Sequence, residues 1–289
     1  MNKITLQSPA KINLCLSVLG RRPDGYHDVE MLMQMVGLFD EVTVSLGGTG
    51  ISVRCDSRAV PSGEGNIAWK AAREMLRIFG KEAGLAIEIK KNIPVAAGLG
   101  GGSGNAAAVL AATNVLLGMD LDRDRLASIG ALIGMDVPFF FYGPTAIARG
   151  RGECLTELPP LTPFWVLLVN PGFETSTAWV YNNVNLRLTK KAGCNKISDL
   201  NLRNIAIGLH NDLESVTAAA HPVISRIKAA LLDRGAVGAL MSGSGPTVFG
   251  IFETETACRA AADGLSPEGW RLYSVETLIE SPLAEFRAG

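Results

Sequence analysis

The feature of the sequence that most constrains its fold is a glycine-rich segment, PVAAGLGGGSGNAAAVLAATNVLLG, at residues 94–118. Residues 98–104 hold five glycines, one leucine and one serine, and an alanine-rich stretch with helical character follows directly. Glycine inside a regular element costs roughly 0.5–1 kcal/mol relative to alanine, so this cluster indicates bare backbone that approaches another group closely. Unpaired N–H groups and the positive dipole end of a helix favour an anion there, with phosphate the natural candidate. The loop alone leaves open a second interpretation, a turn that packs a helix tightly on a sheet.

Two common glycine motifs are excluded. A Walker loop, G-x-x-x-x-G-K-[ST], needs a lysine after its last glycine, and none follows this cluster. A dinucleotide-binding G-x-G-x-x-G that starts at Gly98 or Gly100 would place its last glycine where Ser103 or Asn105 stands. What remains is a loop of exposed backbone N–H groups next to a helix.

Composition limits the class of partner. The chain has 289 residues, which favours two domains, and its net charge of −1 provides no basic field for nucleic acid or a membrane surface. Its five cysteines include no C-x-x-C pair, so we expect reduced thiols and a cytoplasmic location. No apolar run approaches the roughly 18 residues that span a bilayer. We therefore expect a small-molecule partner, with no nucleic acid and no membrane.

Hydrophobic periodicity predicts a mixture of strands and helices before the middle of the chain. Apolar residues alternate over 12–18, which predicts a strand that carries Lys11 and Asn13 on its other face. Asn66 is placed to cap the first helix. Further strands are expected at 29–36, 41–46, 51–55 and 85–91, helices at 67–79, about 104–117 and 122–133, and a linker at 158–163.

The part of the chain beyond this linker mixes both kinds of element again. We expect strands at 164–172 and 270–276, helices at 176–184, 221–235 and 254–263, and two strands around a second glycine-rich turn within 236–253. Because strands and helices do not alternate strictly, the pattern predicts an α+β fold in both halves. The expected domains are residues 1–160 and 161–289.

Three segments together resemble the motifs of the GHMP kinase superfamily of small-molecule kinases. They are SPAKINLCL at 8–16, PVAAGLGGGSGNAA at 94–107 and GALMSGSGPTVFG at 238–250. The phosphate loop of that superfamily is P-x-x-x-G-L-G-[SG]-[SG]-[SA]. The resemblance covers essentially the whole chain. It implies a two-domain α+β fold with an N-terminal mixed sheet, helices and phosphate loop, and a C-terminal α+β domain with an antiparallel sheet.

Longer stretches are similar to one family within that superfamily, the 4-diphosphocytidyl-2-C-methyl-D-erythritol kinases of the non-mevalonate isoprenoid pathway. The stretches are 9–36, 93–110, GMDVPFFFYG at 134–143, ARGRGE at 148–153 and HNDLE at 210–214. The resemblance implies ATP and Mg²⁺ as requirements, and transfer of the γ-phosphoryl group of ATP to the 2-hydroxyl of the cytidyl substrate.

Asp136 and Lys11 are the expected catalytic residues. From sequence alone, Asp136 suits the N-cap of a helix and Lys11 suits the solvated face of a strand. The resemblance instead gives Asp136 the place of the catalytic aspartate in G-x-D-V-P-F, and Lys11 that of the lysine in P-A-K-[IV]-N. A lysine paired with the aspartate would hold the carboxylate ionised and stabilise negative charge at the acceptor oxygen. Metal ligands are not identified.

The resemblance also implies binding residues for both substrates. ATP phosphates are assigned to Pro94, Val95, Ala96, Ala97, Gly98, Leu99, Gly100, Gly101, Gly102, Ser103 and Gly104. The acceptor is assigned to Asn13, Tyr26, His27, Thr177 and Tyr181, with Trp179 as an alternative to Tyr181 for the aromatic that stacks on cytosine. Gly104 and Asn105 stand where relatives often have Ser-Ser or Ser-Asn, which leaves the hydroxyl contacts of the loop open.

Three other functions compete with this hypothesis. A GHMP kinase could take homoserine, mevalonate or a sugar, but GRRPDGYHDVEML at 20–32 belongs to the cytidine site of the family that the chain resembles. A non-catalytic ligand sensor on the same fold is disfavoured by the intact Lys11, Asp136 and glycine loop. RNA binding is disfavoured by the neutral charge and the lack of basic clusters.

Overall fold

The computed structural model describes residues 2–187, 189, 194 and 201–283. Its strands are β1 (Lys3–Arg21), β2 (His27–Leu46), β3 (Ile51–Cys55), β4 (Leu85–Lys90), β5 (Thr145–Gly150), β6 (Cys154–Glu157), β7 (Trp165–Asn170), β8 (His210–Asn211), β9 (Gly238–Met241), β10 (Val248–Phe252) and β11 (Arg271–Glu276). Its α-helices are α1 (Ile67–Phe79), α2 (Gly101–Leu116), α3 (Arg123–Ile133), α4 (Phe139–Tyr142), α5 (Thr177–Asn182), α6 (Leu202–Gly208), α7 (Glu214–Ala220), α8 (Val223–Asp233) and α9 (Glu255–Leu265). Short 3₁₀ turns occupy Gly63–Gly65 and Ser266–Glu268.

The first sheet is built around a long antiparallel hairpin of β1 and β2. Its seven described strands run β3-β4-β2-β1-β8, with β5 beside β2 and β6 beside β5. The prediction of two strands at 29–36 and 41–46 was wrong, because β2 continues through both. Pro9 pairs with Phe39 and Ala10 with Val36, so a bulge in β2 lies where the sequence suggested a break.

Helices α1 and α2 pack together beside this sheet and position the glycine loop. The prediction that Asn66 caps α1 is confirmed, since its Oδ1 accepts a 2.8 Å hydrogen bond from Ala68 N. Helix α2 is buried over most of its length, and Ala106, Ala107 and Ala108 are inaccessible to solvent. Small side chains let this central helix approach its neighbours closely, which fixes the loop that precedes it.

The second sheet has four described strands in the order β11-β7-β10-β9, all antiparallel. Helices α8 and α9 pack against it. The predicted α+β class, with a mixed sheet in the first half and an antiparallel sheet in the second, is confirmed. The strand β8 belongs to the later part of the chain but pairs in parallel with β1 at Cys15 and Leu16. The division at residues 160 and 161 stays a prediction.

A disulfide joins Cys15 of β1 to Cys194, with Cα atoms 5.8 Å apart. The expectation that all five cysteines are reduced thiols was therefore wrong, and cysteine usage no longer supports an assignment of compartment. The two cysteines are far apart in sequence, so their spacing carried no signal, and only the fold brings them together. Cys55, Cys154 and Cys258 are free. Within the described residues, no helix is both long and apolar enough to cross a membrane.

Candidate active site

The glycine loop enters α2 through two residues in the left-handed region of backbone space. Gly98 has φ +77° and Gly100, the N-cap of α2, has φ +70°. A Cβ on Gly98 would lie 2.0 Å from Ser242 O, and one on Gly100 would lie 2.8 Å from Lys11 Cγ. Glycine is therefore required at both positions by conformation and by close packing. No side chain caps α2, so its first N–H groups remain available to a ligand.

The second glycine-rich turn holds this loop in place. Ser242 Oγ donates a 2.9 Å hydrogen bond to Gly98 O, and Asn13 N lies 3.3 Å from the same Oγ. Lys11 N also donates to Leu99 O at 2.9 Å. The turn SGSGP at 242–246 therefore packs directly against the glycine loop. The loop is fixed from β1 and from the second sheet before any ligand arrives.

Lys11 and Asp136 form an ion pair at the centre of the site. Lys11 Nζ lies 3.6 Å from Asp136 Oδ2, donates to Asn13 Oδ1 at 2.6 Å and donates to Gly98 O at 3.2 Å. The expectation of a shared strand face for Lys11 and Asn13 is confirmed. The alternative roles are not supported: Lys11 is buried rather than solvated, and the N-cap position of α4 is Pro138, not Asp136, with no side-chain hydrogen bond there.

Aromatic side chains form a second cluster of the site. The rings of His27 and Tyr181 have centroids 5.4 Å apart, and Arg151 Cζ lies 5.2 Å from the ring centroid of Tyr26. Thr177, the first residue of α5, has its Oγ1 2.9 Å from Ser244 Oγ. The turn before β2 and the helix after β7 therefore contribute to one cluster, although they are far apart in the sequence.

One cavity of about 950 Å³ contains both groups of residues. Its lining includes Lys11, Asn13, Tyr26, His27, residues 94–103, Asp136, Thr177 and Tyr181. Trp179 is outside the lining, so Tyr181 is the aromatic residue of α5 that faces the cavity. Gly104 is also outside it: a Cβ there would lie 2.7 Å from Ser8 Oγ, which indicates a packing role in place of the predicted ligand contact.

The cavity also includes residues that sequence analysis did not select. Arg151 lies beside the ring of Tyr26, and its Nε donates to Glu153 Oε1 at 3.2 Å. Lys91 lines the cavity near Gly101 and forms a buried ion pair with Asp40. The sequence offered a signal for each of these two residues: Arg151 is the second arginine of ARGRGE, and Lys91 is a lysine just before the glycine loop. Only the fold shows that they face the same space.

The surroundings of two ring side chains change their acidity. Burial, reinforced by the negative charge of Asp136, raises the pKa of Tyr181 far above its ordinary value. Burial, followed by the positive charge of Arg21, lowers the pKa of His27. At neutral pH the site therefore holds a protonated phenol and a neutral imidazole, both suited to hydrogen bonding.

Family models match both halves of the chain: GHMP kinases N terminal domain at residues 66–144 and GHMP kinases C terminal at 192–271. The chain is 48% identical over 283 residues to the 4-diphosphocytidyl-2-C-methyl-D-erythritol kinase of Geobacter metallireducens strain GS-15, a match that covers 96% of this chain and all of the relative. It is 51% identical over 282 residues to the kinase of the same name from Pelobacter propionicus, with the same coverage.

Solved structures agree with this result. A crystal structure of 4-(cytidine 5′-diphospho)-2C-methyl-D-erythritol kinase superimposes with a TM-score of 0.81 at 34% identity, covering 95% of this chain and 99% of that one. A homoserine kinase from Cytophaga hutchinsonii superimposes with a TM-score of 0.75 at 21% identity, covering 97% and 96%. The second match supports only the shared fold.

Proposed function

The chain belongs to the 4-diphosphocytidyl-2-C-methyl-D-erythritol kinase family, and from this premise we propose how its cavity performs phosphoryl transfer. The protein is an ATP-dependent kinase of the non-mevalonate isoprenoid pathway, with the cytidyl compound as its acceptor. The observation that carries the proposal is the Lys11–Asp136 pair. Its lysine donates to Gly98 O of the glycine loop, and the pair lines the same cavity as the His27–Tyr181 cluster. A hydroxyl group held there can meet a phosphoryl group held by the loop.

ATP binds with its phosphates against the N-terminus of α2. The uncapped N–H groups, the helix dipole and the lack of side chains at residues 100–102 support this placement. Gly102 is exposed there, and among the described residues a Cβ on it would meet Ile67 Cγ2 at 3.6 Å, an ordinary van der Waals distance. Space at this position is therefore left for a ligand and is not filled by packing.

Mg²⁺ accompanies the nucleotide in this proposal. Among the described residues, no group of three or more His, Cys, Asp or Glu side chains could hold a metal ion. Magnesium commonly needs only one or two protein ligands when phosphates and water complete its shell. The hydroxyl of Ser103 and the carboxylate of Asp136, which both line the cavity, fit that requirement. When bound, the ion would neutralise charge on the phosphates during transfer.

Asp136 orients the attacking hydroxyl of the acceptor and accepts its proton. Its side chain is 31% exposed in the cavity, whereas that of Lys11 is only 5% exposed. The carboxylate is thus the more accessible partner, and the ammonium holds it in place. Lys11 also places positive charge where negative charge develops on the acceptor oxygen. Phosphoryl transfer depends mainly on positioning and charge. Asp136 supplies the orientation of the hydroxyl, and Lys11 supplies the positive charge.

The cytidine end of the acceptor lies between Tyr26, His27 and Tyr181, and Thr177 completes the wall of this pocket. Neutral His27 can hydrogen-bond to the edge of the base, while an aromatic ring can stack on its face. Arg151 is suited to the diphosphate group, because the described structure engages its Nε and leaves its terminal nitrogens for an anion. Asn13 lies beside Lys11, where it can contact the methylerythritol part.

A coupled assay of ADP release tests the proposal directly. Purified protein is given ATP and Mg²⁺ with the cytidyl compound, homoserine or mevalonate as acceptor. We expect turnover with the cytidyl compound alone. Turnover with homoserine or mevalonate but not with the cytidyl compound would overturn the assignment, and binding without turnover of any acceptor would favour a ligand sensor.

A further inference from the structure

The Cys15–Cys194 disulfide lies outside the reaction described above but close to the elements that carry it. Both cysteines are buried, at 2% and 5% exposure. Their Cα separation of 5.8 Å lies at the usual value for a disulfide. Cys15 is in β1, and Cys194 lies in the connection between α5 and α6. The bond therefore ties one residue of that connection, Cys194, to β1 of the first sheet.

This bond connects to the acceptor pocket along both strands of the long hairpin. Cys15 lies two positions after Asn13 in β1. Cys194 N donates a 2.5 Å hydrogen bond to Oε1 of Glu30, a buried residue three positions after His27 in β2. Arg149 Nε binds the other oxygen of Glu30 at 2.8 Å. The covalent link to β1 and the hydrogen bond to Glu30 of β2 thus hold Cys194 against both strands.

We propose that the thiol–disulfide state of this pair sets the affinity of the enzyme for its cytidyl acceptor. With the bond formed, Cys194 is fixed against the strands that present Asn13 and His27, so this side of the pocket is organised before the acceptor binds. Preorganisation of this kind raises affinity because less conformational freedom is lost on binding. With the bond reduced, the described contacts that remain between Cys194 and β2 are both to Glu30: Cys194 N donates to Oε1, and Cys194 Sγ lies 3.4 Å from the backbone oxygen.

The chemistry is ordinary thiol–disulfide exchange with a low-molecular-weight disulfide such as oxidised glutathione. One cysteine, as its thiolate, attacks a sulfur of the oxidant and releases one thiol. The second cysteine then attacks the mixed disulfide, forms the Cys15–Cys194 bond and releases the second thiol. Two protons and two electrons leave the protein, and a dithiol reductant reverses both steps.

Thiol counting and kinetics on the full-length protein test the proposal, which rests on the proposed function for its kinetic part. Denatured without reductant, oxidised protein should show three thiols, and after reduction it should show five. Peptide mapping should identify the Cys15–Cys194 link. Reduction with dithiothreitol should raise the acceptor KM roughly fivefold or more, the lower end of typical coupling between sites, and oxidised glutathione should restore it. The KM for ATP should not change.

Cysteine variants separate this effect from a general effect of reductant. Cys194→Ser and Cys15→Ala should each show the reduced-state acceptor KM under both conditions. Cys154→Ser, which removes an exposed free thiol, should respond as the wild type does. Five thiols in the oxidised protein, a bond that dithiothreitol does not reduce in the folded enzyme, or equal acceptor KM in both states would overturn the proposal. A lack of turnover in both states would contradict the proposed function instead.

Discussion

Lys11 Nζ lies 3.6 Å from Asp136 Oδ2 and at the same time donates to the carbonyl of Gly98 in the glycine loop. One ammonium group therefore connects the strand β1, the glycine loop that we propose binds ATP, and the carboxylate that we propose orients the acceptor. The ammonium group makes its third interaction with Asn13, whose Oδ1 accepts a 2.6 Å hydrogen bond from it. All of these partners are fixed by backbone elements. Small displacements of the ammonium group should therefore lower the rate of phosphoryl transfer more than the affinity for the substrates.

Asp136→Asn should lower kcat by a factor of about 10² or more, because the amide cannot accept the proton of the attacking hydroxyl. Both substrates should still bind, since shape and polarity at the site are preserved. Steady-state kinetics with isothermal titration of each substrate would separate the two effects. Asp233→Asn, at an exposed residue of α8, is the matched control and should keep wild-type turnover. Near-normal turnover of Asp136→Asn would show that Asp136 has a structural role and not a catalytic one.

Lys11→Met should also reduce the chemical step more than the affinity for ATP. Methionine keeps the length and apolar stem of the buried side chain but removes the charge that stabilises the acceptor oxygen. Single-turnover measurements at saturating ATP would show the loss directly. Lys3→Met, at an exposed position of the same strand, provides the control. A variant that loses ATP affinity alone would place Lys11 in nucleotide binding.

Gly102→Ala should weaken ATP binding while it leaves the fold intact. The new Cβ would be in ordinary van der Waals contact with Ile67, without a clash. Alanine is also favoured over glycine within a helix by roughly 0.5–1 kcal/mol. The free energy of unfolding should therefore stay level or rise, as chemical denaturation would show, while the KM for ATP increases. Gly101→Ala is a poor substitute, since its Cβ would lie 2.9 Å from Ile93 Cγ2. Unchanged ATP affinity in Gly102→Ala would mean that phosphates do not approach this turn.

Much of this site could be predicted because its residues belong to local patterns. The alternation around Lys11 placed it beside Asn13, and the glycine run marked the start of α2. The Cys15–Cys194 bond and the position of Arg151 could not be predicted, because both depend on tertiary approach between segments that share no sequence pattern. The single strand β2 was missed since a bulge and a turn look alike in sequence.

The acceptor KM should depend on pH through His27. Burial and Arg21 lower the pKa of this imidazole below its ordinary value of about 6.5, so it is neutral at pH 7 and gains a proton only at lower pH. If the neutral ring holds the base, the acceptor KM should be constant at pH values above the lowered pKa. It should rise as the pH falls through that pKa. The KM for ATP should not follow this profile. In His27→Asn the acceptor KM should be higher and its pH dependence lost; a profile identical to the wild type would exclude His27 from the pocket.

Tyr181→Ala should raise the acceptor KM about tenfold, because the loss of a stacking contact worth roughly 1–3 kcal/mol corresponds to about one decade at 1.4 kcal/mol. The KM for ATP should stay nearly constant, since Tyr181 packs near His27, whose ring we propose holds the base of the acceptor. Trp179→Ala is a matched control: it removes an aromatic residue from the same helix, but one that is 43% exposed and outside the cavity lining. A uridine analogue of the acceptor should react poorly with the wild type, because its reversed hydrogen-bonding groups leave polar atoms of the pocket unpaired. Equal effects of Tyr181→Ala on ATP and acceptor, or a larger effect of Trp179→Ala on the acceptor, would place the cytosine elsewhere.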